Sequence, residues 1–271
     1  MTICIVAVCA GGANIVVAAD RMFTFLFPLN TEFETEERKV EELGPRCVAL
    51  VSGDSAAGAE VLAGARNKLR NQQDAKILEV AGWIKEDYAA VKNQRAYDTI
   101  AAPALGPDFK SFLAKGGTLP AYLQPQPQVY QQLVTLMAQH NLGLELIIAG
   151  IDETGACVSL VVNPGLLVNL DKLGYHCIGT GGIHALTWLS LNGQTRSREL
   201  TETLYSVYEA KKTAEVAPGV GKATDIIVVD SKKDICPCSD EVLNELERLH
   251  SEAGKRPSPK LDKLREVLGA E

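Results

Sequence analysis

The chain has 271 residues, 46% of them hydrophobic, which suits one large domain or one domain with extensions. A net charge of −7 excludes the basic surface that nucleic-acid binding requires. No apolar run reaches membrane-spanning length and no basic segment precedes the first one, so neither a membrane segment nor a secretory signal is expected, and the expected compartment is the cytoplasm.

The chain opens MTICIVAVCAGGANIVVAADR. Thr2 is small and sits behind Met1, so removal of Met1 by the cell's aminopeptidase is expected, leaving a threonine with a free α-amine. The apolar runs Ile3–Cys9 and Ile15–Ala19 flank Gly11–Gly12 and predict a β-hairpin. Asp20–Arg21 ends its second strand, and Lys39 begins the next one. Between them, Met22–Glu36 is rich in Phe (Phe23, Phe25, Phe27, Phe33), contains Pro28, and reads as a loop packed on the sheet.

Val40–Leu43 and Cys47–Ser52 predict strands around Gly44–Pro45. Asp54 or Ser55 caps a helix with Val61, Leu62, Ala65 and Leu69 on one face. A second helix covers about Ala75–Tyr97, with a stripe of Ile77, Leu78, Ala81, Ile84, Tyr88 and Val91. Ala101–Gln128 is rich in Pro and Gly and reads as a long loop or insertion with a short helix near Lys110–Lys115. A helix from Val129 to His140 follows, then strands at Leu144–Ala149, Ala156–Val162 and Leu166–Leu170. Ile178–Gly182 is a glycine-rich turn into a helix near Ile183–Leu191; no Lys follows it as in a P-loop. Glu199–Lys212 predicts a helix, Asp225–Asp230 a strand, and Asp240–Ser251 and Pro259–Leu268 helices of a C-terminal extension.

Seven cysteines are scattered; five stand in apolar, strand-like contexts and read as small buried hydrophobes. Cys236 and Cys238 lack a nearby second Cys/His pair, which argues against zinc. None of the four histidines stands in a Ser/His/Asp pattern. His176 reads as a strand-end residue and His184 as the start of a helix.

A threonine hydroxyl attacks a carbonyl only when a base takes its proton. An α-amine titrates near ~7.7–8.0 and is tethered to the same residue, so it can be that base. A neighbouring cation favours the ionised hydroxyl and the neutral amine. Lys39 is the candidate cation, and Asp20 the carboxylate that holds it.

The strand–turn–strand opening, with Thr2, the AAD of Ala18–Asp20 and the RKV that contains Lys39, resembles a proteasome β-type subunit, a member of the N-terminal nucleophile hydrolases, over roughly residues 1–230. The resemblance implies Thr2 as nucleophile, Asp20 in the acidic role and Lys39 as the catalytic lysine. ALVSGD at Ala49–Asp54 is similar to the strand that supplies the oxyanion-hole amide, here placed at the backbone of Leu50 and Gly53. Thr180, in IGTGG, falls where the family has a serine beside the nucleophile. The family's Asp and Ser before the last core strand are not evident in EVAPGVGKATD (Glu215–Asp225): Val220 stands at the serine place, and Glu215 replaces the Asp only by a shift of register.

The element order by itself predicts a sheet-on-sheet core with helices outside. With the resemblance, the expected fold is of α/β class, a four-layer α/β/β/α sandwich over residues 1–230 with an insertion at about 98–128, followed by a helical extension at 231–271. The expected activity is a threonine-type peptidase or amidohydrolase acting on a peptide or protein substrate, without metal or organic cofactor. The resemblance further implies a homo-oligomer, ring or ring-like, with the helix at Ala75–Tyr97 as a contact face, and an unfoldase partner that the sequence does not name. Two alternatives stand beside it: a non-catalytic structural subunit, and a small-molecule amidase of the same superfamily.

Overall fold

The structure is a computed structural model and describes residues 2–25, 31–36, 38–72, 74–105 and 127–253. The chain divides into two compact units, Met1–Pro237 and Cys238–Glu271.

The first unit begins with a hairpin of β1 (Cys4–Cys9) and β2 (Asn14–Asp20), paired antiparallel from Cys4↔Ala19 to Cys9↔Asn14. Every residue of both strands is buried, so they read as continuous apolar runs instead of alternating ones. The turn needs its two glycines: Gly11 and Gly12 have φ of +68° and +95°, a region that side chains disfavour. β3 (Met22–Phe25) and β4 (Thr31–Glu34) form a separate ribbon. β5 (Val40–Gly44) and β6 (Cys47–Gly53) make the second hairpin, with the register slipping between Glu42 and Gly44.

Helices α1 (Ser55–Asn71) and α2 (Ile77–Ala96) follow. The Asp54 side chain caps α1 by accepting from the Ala57 amide at 3.0 Å. A π-type turn, Tyr97–Ala101, leads into the short α3 (Ala102–Leu105), and α4 is Pro127–Gln139. Then come β7 (Leu144–Asp152), β8 (Gly155–Val162), β9 (Leu166–Asn169), β10 (Tyr175–Ile178), α5 (Gly182–Leu191), α6 (Leu200–Ala214), β11 (Thr224–Asp230) and β12 (Asp234–Pro237).

One sheet has the order β10-β1-β2-β11-β12 and the other β5-β6-β7-β8-β9. One core joins the second sheet to α1 and α2, through Val61, Leu62, Ile84 and Tyr88 against Leu144, Leu146 and Ile148. The Tyr88 hydroxyl donates to the Leu144 carbonyl at 2.9 Å. Another core draws on both sheets, with Val6, Ile15 and Val17 beside Leu50, Ile147 and Val158. Helix α6 packs on β1 and β2.

The expected α/β class and four-layer α/β/β/α sandwich are corrected by these pairings. Every strand pair is antiparallel; the parallel pairs that βαβ crossovers would produce do not occur among the described residues. Two five-stranded antiparallel sheets, a two-stranded ribbon paired with neither of them and a small cluster of Tyr97, Ala101 and Leu133 apart from the sheets replace the expected layer scheme. Strands and helices arrive in runs, which is an α+β pattern.

Smaller corrections follow. Part of the Phe-rich loop is the ribbon β3–β4, while Phe27 and Pro28 lie outside the described residues. The first residues after 230 belong to the sheet: β12 pairs with β11 from Ile227↔Pro237 to Asp230↔Asp234. Met1, the helix expected near Lys110–Lys115 and the helix expected at Pro259–Leu268 lie outside the described residues.

In the second unit, α7 (Asp240–Ala253) is acidic in its first turn, and Arg248 pairs with Glu245 and Glu252 one turn away on either side. No helix among the described residues is long and apolar enough to cross a membrane.

Candidate active site

Thr2 lies just before β1 and Asp20 ends β2, so the hairpin register brings them side by side. Lys39 lies just before β5, at the start of the other sheet, and reaches across. All three are buried: Thr2 is 3% exposed, Asp20 0% and Lys39 8%.

The Thr2 hydroxyl donates to Asp20 Oδ1 at 2.5 Å and accepts from Lys39 Nζ. Lys39 Nζ also donates to Asp20 Oδ1 at 2.7 Å, so the cation and the carboxylate form an ion pair with the hydroxyl between them. Asp20 Oδ1 accepts as well from the Ile3 amide at 3.1 Å, and Oδ2 accepts from the Gly221 amide at 2.8 Å. Two fixed backbone donors and a cation thus hold this fully buried carboxylate, which satisfies the condition for keeping a charge out of water.

Thr180 closes the other side. The Thr2 nitrogen donates to Thr180 Oγ1 at 3.2 Å, and that hydroxyl donates to the Thr2 carbonyl at 3.3 Å. The Gly181 amide donates to the same carbonyl at 3.3 Å. Gly179 makes the close approach possible: its φ is +92°, and a Cβ there would collide with the Thr2 carbonyl oxygen. The glycine-rich turn at Ile178–Gly182 therefore wraps Thr2.

Leu50 does not fill the oxyanion role expected of it. It lies in mid-strand, opposite Val40 on one side and Ile147 on the other, with its side chain in the core. The Val51 amide donates to the Lys39 carbonyl at 3.2 Å, so strand alternation turns the Leu50 amide toward β7, into the ladder. The same alternation turns the Gly53 amide toward the Lys39 side, beyond the start of β5 at Val40. Gly53 has φ of +107°, where a side chain would strike the Gly143 backbone.

Among the described residues, Glu215, the candidate for the family's missing Asp, makes no hydrogen bond or ion pair with Thr2, Asp20 or Lys39. It accepts from Lys211 Nζ at 2.5 Å. Val220 is buried, and the next residue, Gly221, meets Asp20 through its backbone. Beside them Arg21 makes a two-pronged contact with Asp225, at 2.8 and 2.5 Å. Glu34 of β4 accepts from the Lys222 and Ala223 amides at 2.5 and 3.0 Å, tying the ribbon to the loop that carries Gly221.

Cys4 is the thiol adjacent to this cluster. It donates to the Val51 carbonyl at 3.5 Å, and burial pushes its pKa up to about 12 even though Lys39 pulls it down. No group of His, Cys, Asp and Glu able to hold a metal ion occurs among the described residues. Sequence reasoning missed Ile3, Gly221 and Gly181, because a backbone donor leaves no side-chain signature. The glycines themselves were the available signal. Comparison with protein-family models and with curated proteins returns no match to this chain.

Proposed function

We propose that this chain is a threonine-type N-terminal nucleophile hydrolase, related to proteasome β-type subunits, that cleaves peptide bonds. The observation that carries this reading is the Thr2 hydroxyl set between Lys39 and Asp20 in a buried ion pair.

Removal of Met1 frees the Thr2 amine, which takes the hydroxyl proton as Oγ attacks the scissile carbonyl carbon. The Lys39 ammonium, already hydrogen-bonded to Oγ, stabilises negative charge there, and Asp20 fixes the lysine. The Thr180 hydroxyl orients the Thr2 nitrogen. The backbone amide of Gly53 is the proposed oxyanion donor. As the tetrahedral intermediate collapses, the C–N bond breaks and the protonated amine returns its proton to the leaving nitrogen. Water then attacks the threonine ester, giving up a proton to the same amine; the acyl C–Oγ bond breaks, the amine returns that proton to Oγ, and the carboxylic product departs. The Ala75–Tyr97 helix is the proposed contact face of a homo-oligomer, which light scattering at micromolar concentration would reveal as more than a monomer.

The mechanism is tested with an epoxyketone-type electrophile. Wild-type protein should be labelled at Thr2, Thr2→Ser should retain some labelling and Thr2→Ala none. Lys39→Ala should slow labelling by ~10²-fold or more, since a charge-assisted contact in a dry site is worth a few kcal/mol and each ~1.4 kcal/mol is tenfold. Labelling of a folded Lys39→Ala protein at the wild-type rate would reject the mechanism.

A further inference from the structure

Lys211 is an unusual lysine. It stands in the last turn of α6, and its side chain is 0% exposed. A lysine that close to a helix C-terminus ordinarily extends into water, where it interacts with the helix dipole at little cost. This one has been taken out of water, which is expensive unless its donors are used. Two acceptors take them: Glu215 Oε1 at 2.5 Å and the Lys222 carbonyl at 2.7 Å.

The second acceptor leads to Asp20. Gly221, whose amide donates to Asp20 Oδ2 at 2.8 Å, is joined by its own carbonyl carbon to the Lys222 nitrogen. The Lys222 nitrogen is held by Glu34, and the Lys222 carbonyl by Lys211. The stretch 221–222 is therefore clamped from the ribbon on one side and from α6 on the other. Asp20 Oδ1 in turn receives the Thr2 hydroxyl and Lys39. A continuous chain of contacts runs from the buried ammonium of Lys211 to the hydroxyl of Thr2.

We infer that Lys211 is a positioning residue for Asp20: by fixing the Lys222 carbonyl it sets the Gly221 amide against the carboxylate, and with it the Thr2–Lys39 geometry. This inference rests on the reading of Thr2 as nucleophile for its catalytic consequence, but not for its structural one. It also accounts for the loop Glu215–Asp225, where the proteasome-like Asp and Ser are missing. There the chain supplies a backbone amide to Asp20 and an internal Lys211–Glu215 pair. The charged groups around Lys211 are Glu215 at the end of its own helix, Lys212 beside it and Asp20 on β2; burial lowers its pKa, opposed chiefly by Glu215.

The test uses the full chain and two readouts on Lys211→Met, which keeps the length and removes the ammonium. The first is labelling of Thr2 by the epoxyketone-type probe, with rate constant and final labelled fraction recorded separately. The expected result is a rate constant lowered about tenfold at an undiminished labelled fraction, the scale of one lost hydrogen bond to a charged group. A merely structural lysine would lower the labelled fraction, through unfolding, and leave the rate constant of the folded part alone; that result overturns the inference. The second is hydrogen exchange of the Gly221 amide, which should quicken while exchange in β1 and β2 stays unchanged. If the wild type is not labelled at all, the hydrolase reading fails, and the Gly221 amide still decides: unchanged exchange there overturns the role of Lys211, and faster exchange confined to that loop upholds it. Should Lys211→Met not fold, Glu215→Gln, which removes the counter-charge and keeps the shape, is read by the same two measurements with the same outcomes.

Discussion

At Thr2 the hydroxyl is hydrogen-bonded to a cation and a carboxylate at once, whereas the nearby thiol of Cys4 donates to the Val51 carbonyl and is held neutral by burial. On the proposed mechanism, that difference favours Thr2 over Cys4 as the attacking group. Burial pushes Cys4, Cys47 and Cys157 up to about 12 and Cys9 up to about 11, and raises Cys177 as well. At pH 8 their thiolate fraction is on the order of 10⁻³ or less. Iodoacetamide should therefore modify the native protein only at the half-buried Cys236 and Cys238, and all seven cysteines after unfolding. Rapid alkylation of Cys4 in the native state, read by peptide mass mapping, would make a thiol the rival nucleophile. Thr2 and Asp20 stand at the ends of apolar runs, where a polar residue is conspicuous, whereas Lys39, inside the charged ERKVEE, and Thr180, in IGTGG, were singled out by the family resemblance. Leu50 was misplaced because a strand does not show which of its amides leaves the ladder. Lys211 was illegible because a lysine in a helix's last turn normally reads as solvated.

Among the elements, the turn at Gly179 carries the most constraint. With φ of +92° and the Thr2 carbonyl where a Cβ would go, Gly179→Ala should destabilise the protein by about 2–3 kcal/mol. It should also displace Thr180 and slow labelling of Thr2. Urea denaturation checks the first effect, and a midpoint equal to that of the wild type would show that the turn relaxes freely. The long elements were legible from periodicity: α1, α2 and the two hairpins stand close to their expected bounds. One position of the α2 stripe failed, since Leu78 is 51% exposed while Val80, Ala81, Ile84 and Tyr88 are buried. The core-facing stripe is narrower than the run of apolar residues. The ribbon, β10 and β12 are four-residue strands, too short for alternation to separate them from loop.

At the scale of the whole molecule, element order carried the runs of strands and helices but not the pairing, and the uniformly antiparallel pairing is what overturned the expected α/β class. Both sheets and every site residue lie within Met1–Pro237, so a chain ending at Pro237 should still unfold cooperatively, as calorimetry would show. Loss of the cooperative transition would mean that the first unit needs the second. Acid should weaken the fold in a defined window. His176 is partly buried with Nδ1 lacking a hydrogen-bond partner, and burial lowers its pKa below the ordinary 6.5, opposed by Glu145. Folding thus favours the neutral ring. That contribution is complete above about pH 6.5 and is lost as pH falls through the lower folded value. His176→Gln should lessen the drop in urea midpoint between pH 7.5 and 5.0; an equal drop in both proteins would assign the acid sensitivity elsewhere.

The most direct measurement is the mass of the N-terminal peptide from wild-type protein treated with the epoxyketone-type probe. A hydrolase of the proposed kind gives a peptide beginning at Thr2 that carries a single adduct on that residue. A peptide that retains Met1 on nearly every chain, or an adduct on another residue while Thr2 is unmodified, would contradict the assignment of Thr2 as the nucleophile.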